Sequence, residues 1–402
     1  VLADCPPRVL FVEPAFAAHA AAIEGAIPAT ALSALDQEGA RPPAPEGDES
    51  SPLLLCYTSG STGTPKGVVL TQRAIRWNAL NSTHMHDLSS QDRVLTTLPL
   101  FHVGGMNIQT TPALYAGASV SLHAKFDPEA TLEAIERERI TLTVLVPAQF
   151  EALMALPRWR RADLSSLRVI STGSTIITEA FIRRVSECRV PVIQVYGSTE
   201  TCPIATYGRA VDALRKAGSA GAPALHCELK VVDETGAVLP TGCDGEIMVR
   251  GPNVALGYWN APADTAQAFV DGWFRSGDVG HFDDEGHLYV VARKKDMIIS
   301  GGENIYPAEV ENVLLECPAI EEACVVGRPD ERWGEAVVAA VVLKPGYRLT
   351  ELEALALFEG NIAHYKWPRE IRFVDRLPHS ALGKIQREAV RQALGATTGG
   401  QA

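Results

Sequence analysis

At 402 residues the chain is too long for one typical core, so two or more domains are expected. A net charge of −12 argues against nucleic acid as a partner, because non-specific binding needs basic surface. No apolar run approaches the ~20 residues that span a bilayer, and no signal peptide opens the chain. The eight cysteines are scattered with no CxxC pair, which reads as reduced thiols in a cytoplasmic protein rather than a disulfide frame or zinc site.

Taken in order, "RVLFVE" (Arg8 to Glu13) reads as a strand, with little before it to supply the opening elements of a large α/β domain. The N-terminal part of that domain is therefore expected to be missing. "ARPPAPEGDESSP" (Ala40 to Pro52) is a polar, proline-rich connection that should be irregular. Leu53 to Cys56 is an apolar run that reads as a strand. From Arg93 onward strands and helices alternate: strands at 93–99, 118–123, 142–147, 167–172 and 190–197, with helices near 128–139, 148–156 and 178–188. Asp127 is placed to cap the first of these helices, with Pro128 at its first position. Apolar runs of this length between amphipathic helices indicate a mainly parallel sheet covered on both faces.

The pattern changes after Gly218. Cys227 to Gly251 alternates apolar and polar residues around turn residues, the mark of antiparallel β structure. The last region has helices at 307–316 and 350–363 and strands at 323–326, 336–343 and 371–374, a compact α+β module of domain size. The closing "GATTGGQA" should be disordered. The fold class is thus α/β: a large N-terminal domain (1–294) of mainly parallel sheet layered with helices plus a small β region. A smaller, mobile α+β domain (295–402) follows.

The stretch "LLCYTSGSTGTPKGVVLT" (Leu54 to Thr71) offers hydroxyls, glycines and one lysine. It is not the nucleotide P-loop. Pro65 has no N–H to donate, and Gly67 stands where that loop needs a hydroxyl for Mg²⁺. What remains is a hydroxyl-rich turn able to wrap an anion, or a flexible Ser/Gly turn.

Six segments in order decide between them. "YTSGSTGTPKG", "PLFHVGG", "QVYGSTET", "GYWNAP…DGWFRSGDVG", "ARKKDMIISGGENIYPAEVE" and "PHSALGKIQRE" together resemble the adenylate-forming (AMP-binding) superfamily, in its acyl-CoA synthetase or acid–thiol ligase branch. The resemblance covers nearly the whole chain. It implies that a carboxylate attacks the α-phosphorus of ATP to give an acyl-adenylate and pyrophosphate, after which a thiol displaces AMP. Such chemistry is mostly positioning and charge stabilisation.

By the resemblance, Thr58, Ser59, Gly60, Ser61, Thr62, Gly63, Thr64 and Lys66 would hold the β- and γ-phosphates. Gly173, Ser174, Tyr196 and Gly197 would surround the nucleotide, with Tyr196 against adenine. Thr199 would meet the α-phosphate and Glu200 would bind Mg²⁺, a hard cation that suits a carboxylate. Asp278 would accept both ribose hydroxyls, and Arg293 would also reach them. Ser276 stands where the family usually has threonine. Lys295 would be the hinge about which the C-terminal domain swings, and Lys384 the lysine bridging substrate carboxylate and α-phosphate. After the swing, Gly301 and Gly302 would line the pantetheine tunnel, with His102 as its gate.

The acyl pocket would draw on Val103, Gly104, Val146, Thr172, Gly173, Ser174 and Ile204. No aspartate stands near "PLFHVGG", which disfavours amino acids, and no arginine is evident for a second carboxylate. An aromatic, branched or medium-chain fatty acid is therefore expected rather than malonate. CoA is the expected thiol, with Trp333, Tyr365 and Arg369 placed to meet its nucleotide. The alternatives are a free-standing ligase that loads a carrier protein and a nucleotide-binding fragment impaired in catalysis. Oligomeric state is not written in the sequence; a homodimer is the assembly kept in view.

Overall fold

The computed structural model describes residues 1–23, 29–31, 47–58, 65–173, 177, 179–186, 190–379 and 384–395. Ser59, Gly60, Ser61, Thr62, Gly63 and Thr64 of the expected phosphate loop, Ser174, Cys188 and the last seven residues lie outside the described residues.

Five parallel strands form the body of the large domain, in the order Val192–Tyr196, Val169–Gly173, Leu142–Val144, Arg93–Thr96, Ser119–Leu122. Thr206–Tyr207 and Ala222–Pro223 extend one edge antiparallel. All five residues of Val169–Gly173 are buried, as a strand covered on both faces requires. On one face Leu132, Ile135, Phe150, Leu153 and Ile182 pack with Ile170 and Val192. The helix Pro128–Arg137 starts as the sequence indicates: the Asp127 carboxylate accepts from the Ala130 N–H at 2.8 Å.

The other face is covered partly by a helix the sequence reading did not foresee, Gln72–His86, capped by Thr71, whose Oγ1 accepts from the Ala74 N–H at 3.1 Å. Its Met85 joins Ile108, Val94, Val144 and Ile193 in a second cluster. A wide π turn, Met106–Thr110, interrupts the helical stretch that follows "PLFH".

The expected antiparallel region is present. Gly245–Arg250 pairs with Glu228–Val232 and with Trp273–Phe282, and Leu288–Arg293 flanks the last. Asp278 stands directly opposite Arg293 in that register. A third small sheet pairs Pro52–Thr58 with Lys66–Thr71, Thr58 opposite Lys66, so the expected phosphate loop joins two antiparallel strands. Gly257–Tyr258 pairs with the same Lys66–Thr71 strand.

In the C-terminal region Gly334–Leu343 is central. It pairs with Ile320–Asp330, with the hairpin Ile298–Ser300/Glu303–Ile305, and in parallel with Glu370–Phe373. Helices Pro307–Leu315 and Arg387–Gly395 cover it. The helix expected over 350–363 is shorter. It runs Glu351–Ala356 behind a Thr350/Glu353 capping box. The chain then turns through Gly360 at φ +77°, while the Asn361 amide donates to the Leu357 carbonyl at 2.7 Å. The seven described cysteines are free, and no helix among the described residues is long and apolar enough to cross a membrane.

Candidate active site

Strand Val192–Tyr196 delivers its last residue to Asp278. The chain then turns at Gly197, where an added Cβ would lie 1.7 Å from the Pro203 carbonyl oxygen. Only glycine fits that passage. The following turn, Thr199–Thr201, is held by the Ser198 N–H donating to Thr201 Oγ1 at 2.9 Å, and it buries Glu200 to 9% exposure.

Asp278 lies mid-strand at 3% exposure. The Tyr196 hydroxyl donates to its Oδ2 at 2.8 Å, and Arg293 Nε meets its Oδ1 at 2.6 Å. Burial pushes the Asp278 carboxyl above the ordinary aspartate range, outweighing Arg293, the Tyr196 hydroxyl and Lys384. Burial likewise lifts the Tyr196 phenol well above its ordinary value, and the adjacent carboxylate adds to this. The Asp278 N–H donates to Ser276 Oγ at 3.0 Å, and Ser276 donates to the Ile247 carbonyl at 2.7 Å. The serine thus keeps the hydroxyl that the usual threonine would provide.

Glu200 accepts from the Tyr258 hydroxyl at 2.8 Å, and burial, followed by Glu200, raises that phenol's pKa. Lys66 pairs with Asp264 and stands 5.5 Å from the Tyr258 ring centroid. Tyr258 and Asp264 were missed as site residues. Tyr258 lies inside the quoted segment "GYWNAP", the only signal that could have found it.

Lys384, from the C-terminal region, bears electrostatically on Asp278 and Arg293. It keeps exposed surface, yet the protein around it is dense enough that burial, then Arg293, lowers its ammonium's pKa against the pull of Asp278. Its charge also acts on His102, whose pKa falls through burial first and Lys384 second. His102 Nδ1 accepts from the Gly104 N–H at 3.0 Å, so the ring is fixed at the start of the short helix Val103–Gly105. Arg293 and Asp278 are thus an ion pair, and the Lys384 charge bears on that pair and on His102.

Lys295 is exposed in the turn Lys294–Asp296, which directly follows strand Leu288–Arg293. Gly301 and Gly302 form a hairpin turn at φ +62° and +86°. The Gly301 N–H donates to the Trp333 carbonyl at 2.8 Å, and the guanidinium of Arg369 lies 4.9 Å from the Trp333 ring centroid. Of the expected acyl-pocket residues, Val103, Gly104, Thr172, Gly173 and Ile204 are buried and Val146 is half-buried. Thr172 Oγ1 has no hydrogen-bond partner among the described residues.

Comparison with known proteins decides the family. The family model "AMP-binding enzyme" matches residues 1–259, and "AMP-binding enzyme C-terminal domain" matches residues 309–384. The chain belongs to the AMP-binding enzyme family. An indoleacetate–CoA ligase of Aromatoleum aromaticum is 56% identical over 413 residues, covering 99% of this chain and 81% of that protein. A feruloyl-CoA synthase of an Amycolatopsis species is 43% identical, covering 98% and 80%. The o-succinylbenzoate CoA synthetase of Bacillus subtilis, solved with its acyl-adenylate intermediate, superposes with a TM-score of 0.87 at 34% identity, covering 97% and 79%. This AMP-binding enzyme is an AMP-forming acid–CoA ligase, and it uses ATP, Mg²⁺ and CoA.

The residues fit those groups. Asp278 presents both carboxylate oxygens with Tyr196 and Arg293 already bonded, and each oxygen has a further lone pair for a ribose hydroxyl. No cluster of three or more metal-ligating side chains exists among the described residues. Glu200, a buried carboxylate that accepts from Tyr258, is the residue that would hold Mg²⁺ together with substrate phosphates.

Proposed function

We propose that the enzyme activates an aromatic carboxylic acid as its acyl-adenylate and passes the acyl group to CoA. In the first step a carboxylate oxygen attacks the α-phosphorus of ATP, the bond to the bridging oxygen breaks and pyrophosphate leaves. In the second the CoA sulfur attacks the acyl carbon, the thiol proton is lost and AMP departs. Mg²⁺, when bound at Glu200, supplies charge neutralisation on the phosphates.

Asp278 and Arg293 fix the ribose, and Tyr196, tied by its hydroxyl, offers its ring to adenine. Thr58, Lys66 and Thr199 face the phosphates. Lys384 meets the charge that develops between acid and α-phosphate. Rotation about Lys295, between a body of residues 1–294 and a lid of 295–402, then exchanges Lys384 for the Gly301–Gly302 turn, with His102 at the thiol entrance. The observation that supports this reading is the convergence of the Tyr196 hydroxyl and the Arg293 guanidinium on the buried Asp278 carboxylate, with the Lys384 charge also bearing on it.

The buried, neutral character of Val103, Thr172 and Ile204 supports an apolar acyl group over a dicarboxylate. The indoleacetate and ferulate named in its relatives support an aromatic one over a fatty chain. ATP–pyrophosphate exchange across a panel of acids tests this, with an arylacetate expected to give the highest kcat/KM. Malonate or a fatty acid in first place would reverse the assignment. AMP release with CoA as the sole thiol is expected, and a requirement for a carrier protein would exclude CoA as the acceptor.

A further inference from the structure

At Ser171, next to the expected pocket residue Thr172, begins a buried polar cluster that the mechanism above does not use. His86 is 2% exposed at the end of helix Gln72–His86, and burial lowers its pKa to about 4, so the ring is neutral at physiological pH. Its tautomer is set by the Ser82 carbonyl, which lies 2.9 Å from Nδ1 and can only accept. Nε2 is therefore an acceptor.

Gln109, in the π turn Met106–Thr110 and also 2% exposed, faces this ring with its side-chain nitrogen. Nε2 of Gln109 stands 3.1 Å from His86 Nε2, 3.4 Å from the Thr143 carbonyl and 3.4 Å from Ser171 Oγ. A ring acceptor and a backbone carbonyl both demand an N–H₂ there, so the amide cannot be flipped. The amide oxygen Oε1 is then left buried with no hydrogen-bond partner among the described residues. A buried acceptor without a donor is costly, and its persistence calls for an explanation. Gln109 lines a narrow crevice with Gly105, Val144 and Thr97, at the C-terminal ends of strands Arg93–Thr96 and Leu142–Val144. Gly105 follows the expected pocket residues Val103 and Gly104, and Val144 lies two residues before Val146. Wide turns of this kind recur at functional sites because they re-aim one side chain.

We propose that Gln109 Oε1 is the specificity-determining acceptor for a ring N–H on the aromatic acid, so that the enzyme selects an indole-type arylacetate over an isostere lacking the donor. His86, Ser171 and Thr143 are positioning residues that hold the carboxamide with its oxygen toward the acyl group. This rests on the aromatic-acid reading above. A site with one buried acceptor aimed at a substrate N–H penalises the analogue that leaves it unpaired.

The test compares indole-3-acetate with benzothiophene-3-acetate, which keeps shape and carboxylate but has no N–H, in ATP–pyrophosphate exchange. Wild type is expected to favour the indole by roughly 10- to 100-fold in kcat/KM. Gln109→Leu should bring the ratio below about threefold by lowering the indole value, with its denaturant midpoint as the control for folding. A wild-type ratio near one, or an unchanged ratio in Gln109→Leu, would overturn the assignment; the wild-type ratio decides even if the variant does not fold. Exchange with an aliphatic acid and with neither aromatic would instead overturn the aromatic reading itself, and the inference with it.

Discussion

The phenol of Tyr196 and the carboxylate of Asp278, 82 residues apart in sequence, meet at 2.8 Å, so the expected adenine-facing ring and ribose-binding acid form one unit. Tyr196→Phe tests the pairing. Removing a donor to a buried carboxylate costs about 1–3 kcal/mol, and KM for ATP should rise by roughly 5- to 100-fold with kcat little changed. The hydroxyl also opposes the burial that raises the Asp278 pKa. Without it the carboxyl protonates at still higher pH, so the rise in KM as pH falls should begin earlier in the variant. Parallel KM–pH profiles would count against this role for the hydroxyl.

Lys384→Ala should lower adenylation by roughly 10²–10³-fold, the usual cost of one electrostatic group at a developing charge. Thioester formation from supplied acyl-AMP should be largely retained. Because burial and Arg293 lower the ammonium's pKa, it loses its charge below the ordinary lysine value of 10.5. The kcat/KM for adenylation should accordingly fall on an alkaline limb below that pH, and Lys384→Arg, always charged, should lack the limb. An equal loss in both half-reactions would remove the assigned role.

Lys295→Pro should give the reverse pattern. Proline fixes φ in the turn Lys294–Asp296 and restricts rotation there. Pyrophosphate exchange should survive, while CoA ligation drops by about tenfold or more. Normal ligation by this variant, measured as thioester released per adenylate formed, would speak against the swing.

Gly197→Ala should destabilise the fold by about 1–3 kcal/mol, the range for an overpacked site, because the new Cβ collides with the backbone of Pro203 rather than with a movable side chain. A denaturant midpoint equal to wild type would show that the turn can relax. The turn also carries Thr199 and Glu200, so ATP affinity should fall along with stability.

The parallel core was legible because strands such as Val169–Gly173 are apolar on both faces and helices such as Pro128–Arg137 announce their caps. Helix Gln72–His86 was not, for a physical reason. Its buried face carries Asn78, Asn81, Ser82 and His86, so the apolar period that marks a helix is absent. Those side chains are spent on distant backbone: Asn78 donates to the Asn107 carbonyl at 2.7 Å and accepts from the Ile204 N–H at 3.2 Å. The helix expected over 350–363 stops at Ala356, and Gly360, at φ +77°, turns the chain within the expected span. In the site, Asp278 and Arg293 were readable from their motifs, whereas the Lys66–Asp264 pair joins residues 198 apart and nothing local records it. The same holds for Gln109, whose neighbours His86, Thr143 and Ser171 come from three separate elements.

Arg293 faces Asp278 across paired strands, and two residues further along the same chain stands Lys295. The guanidinium paired with Asp278 thus sits at the axle of the proposed swing, with no slack chain between them. A nucleotide pulling on Arg293 would stiffen the pivot, and its departure would loosen it. Occupancy of one half of the enzyme would then set how freely the other half turns, without any separate sensor.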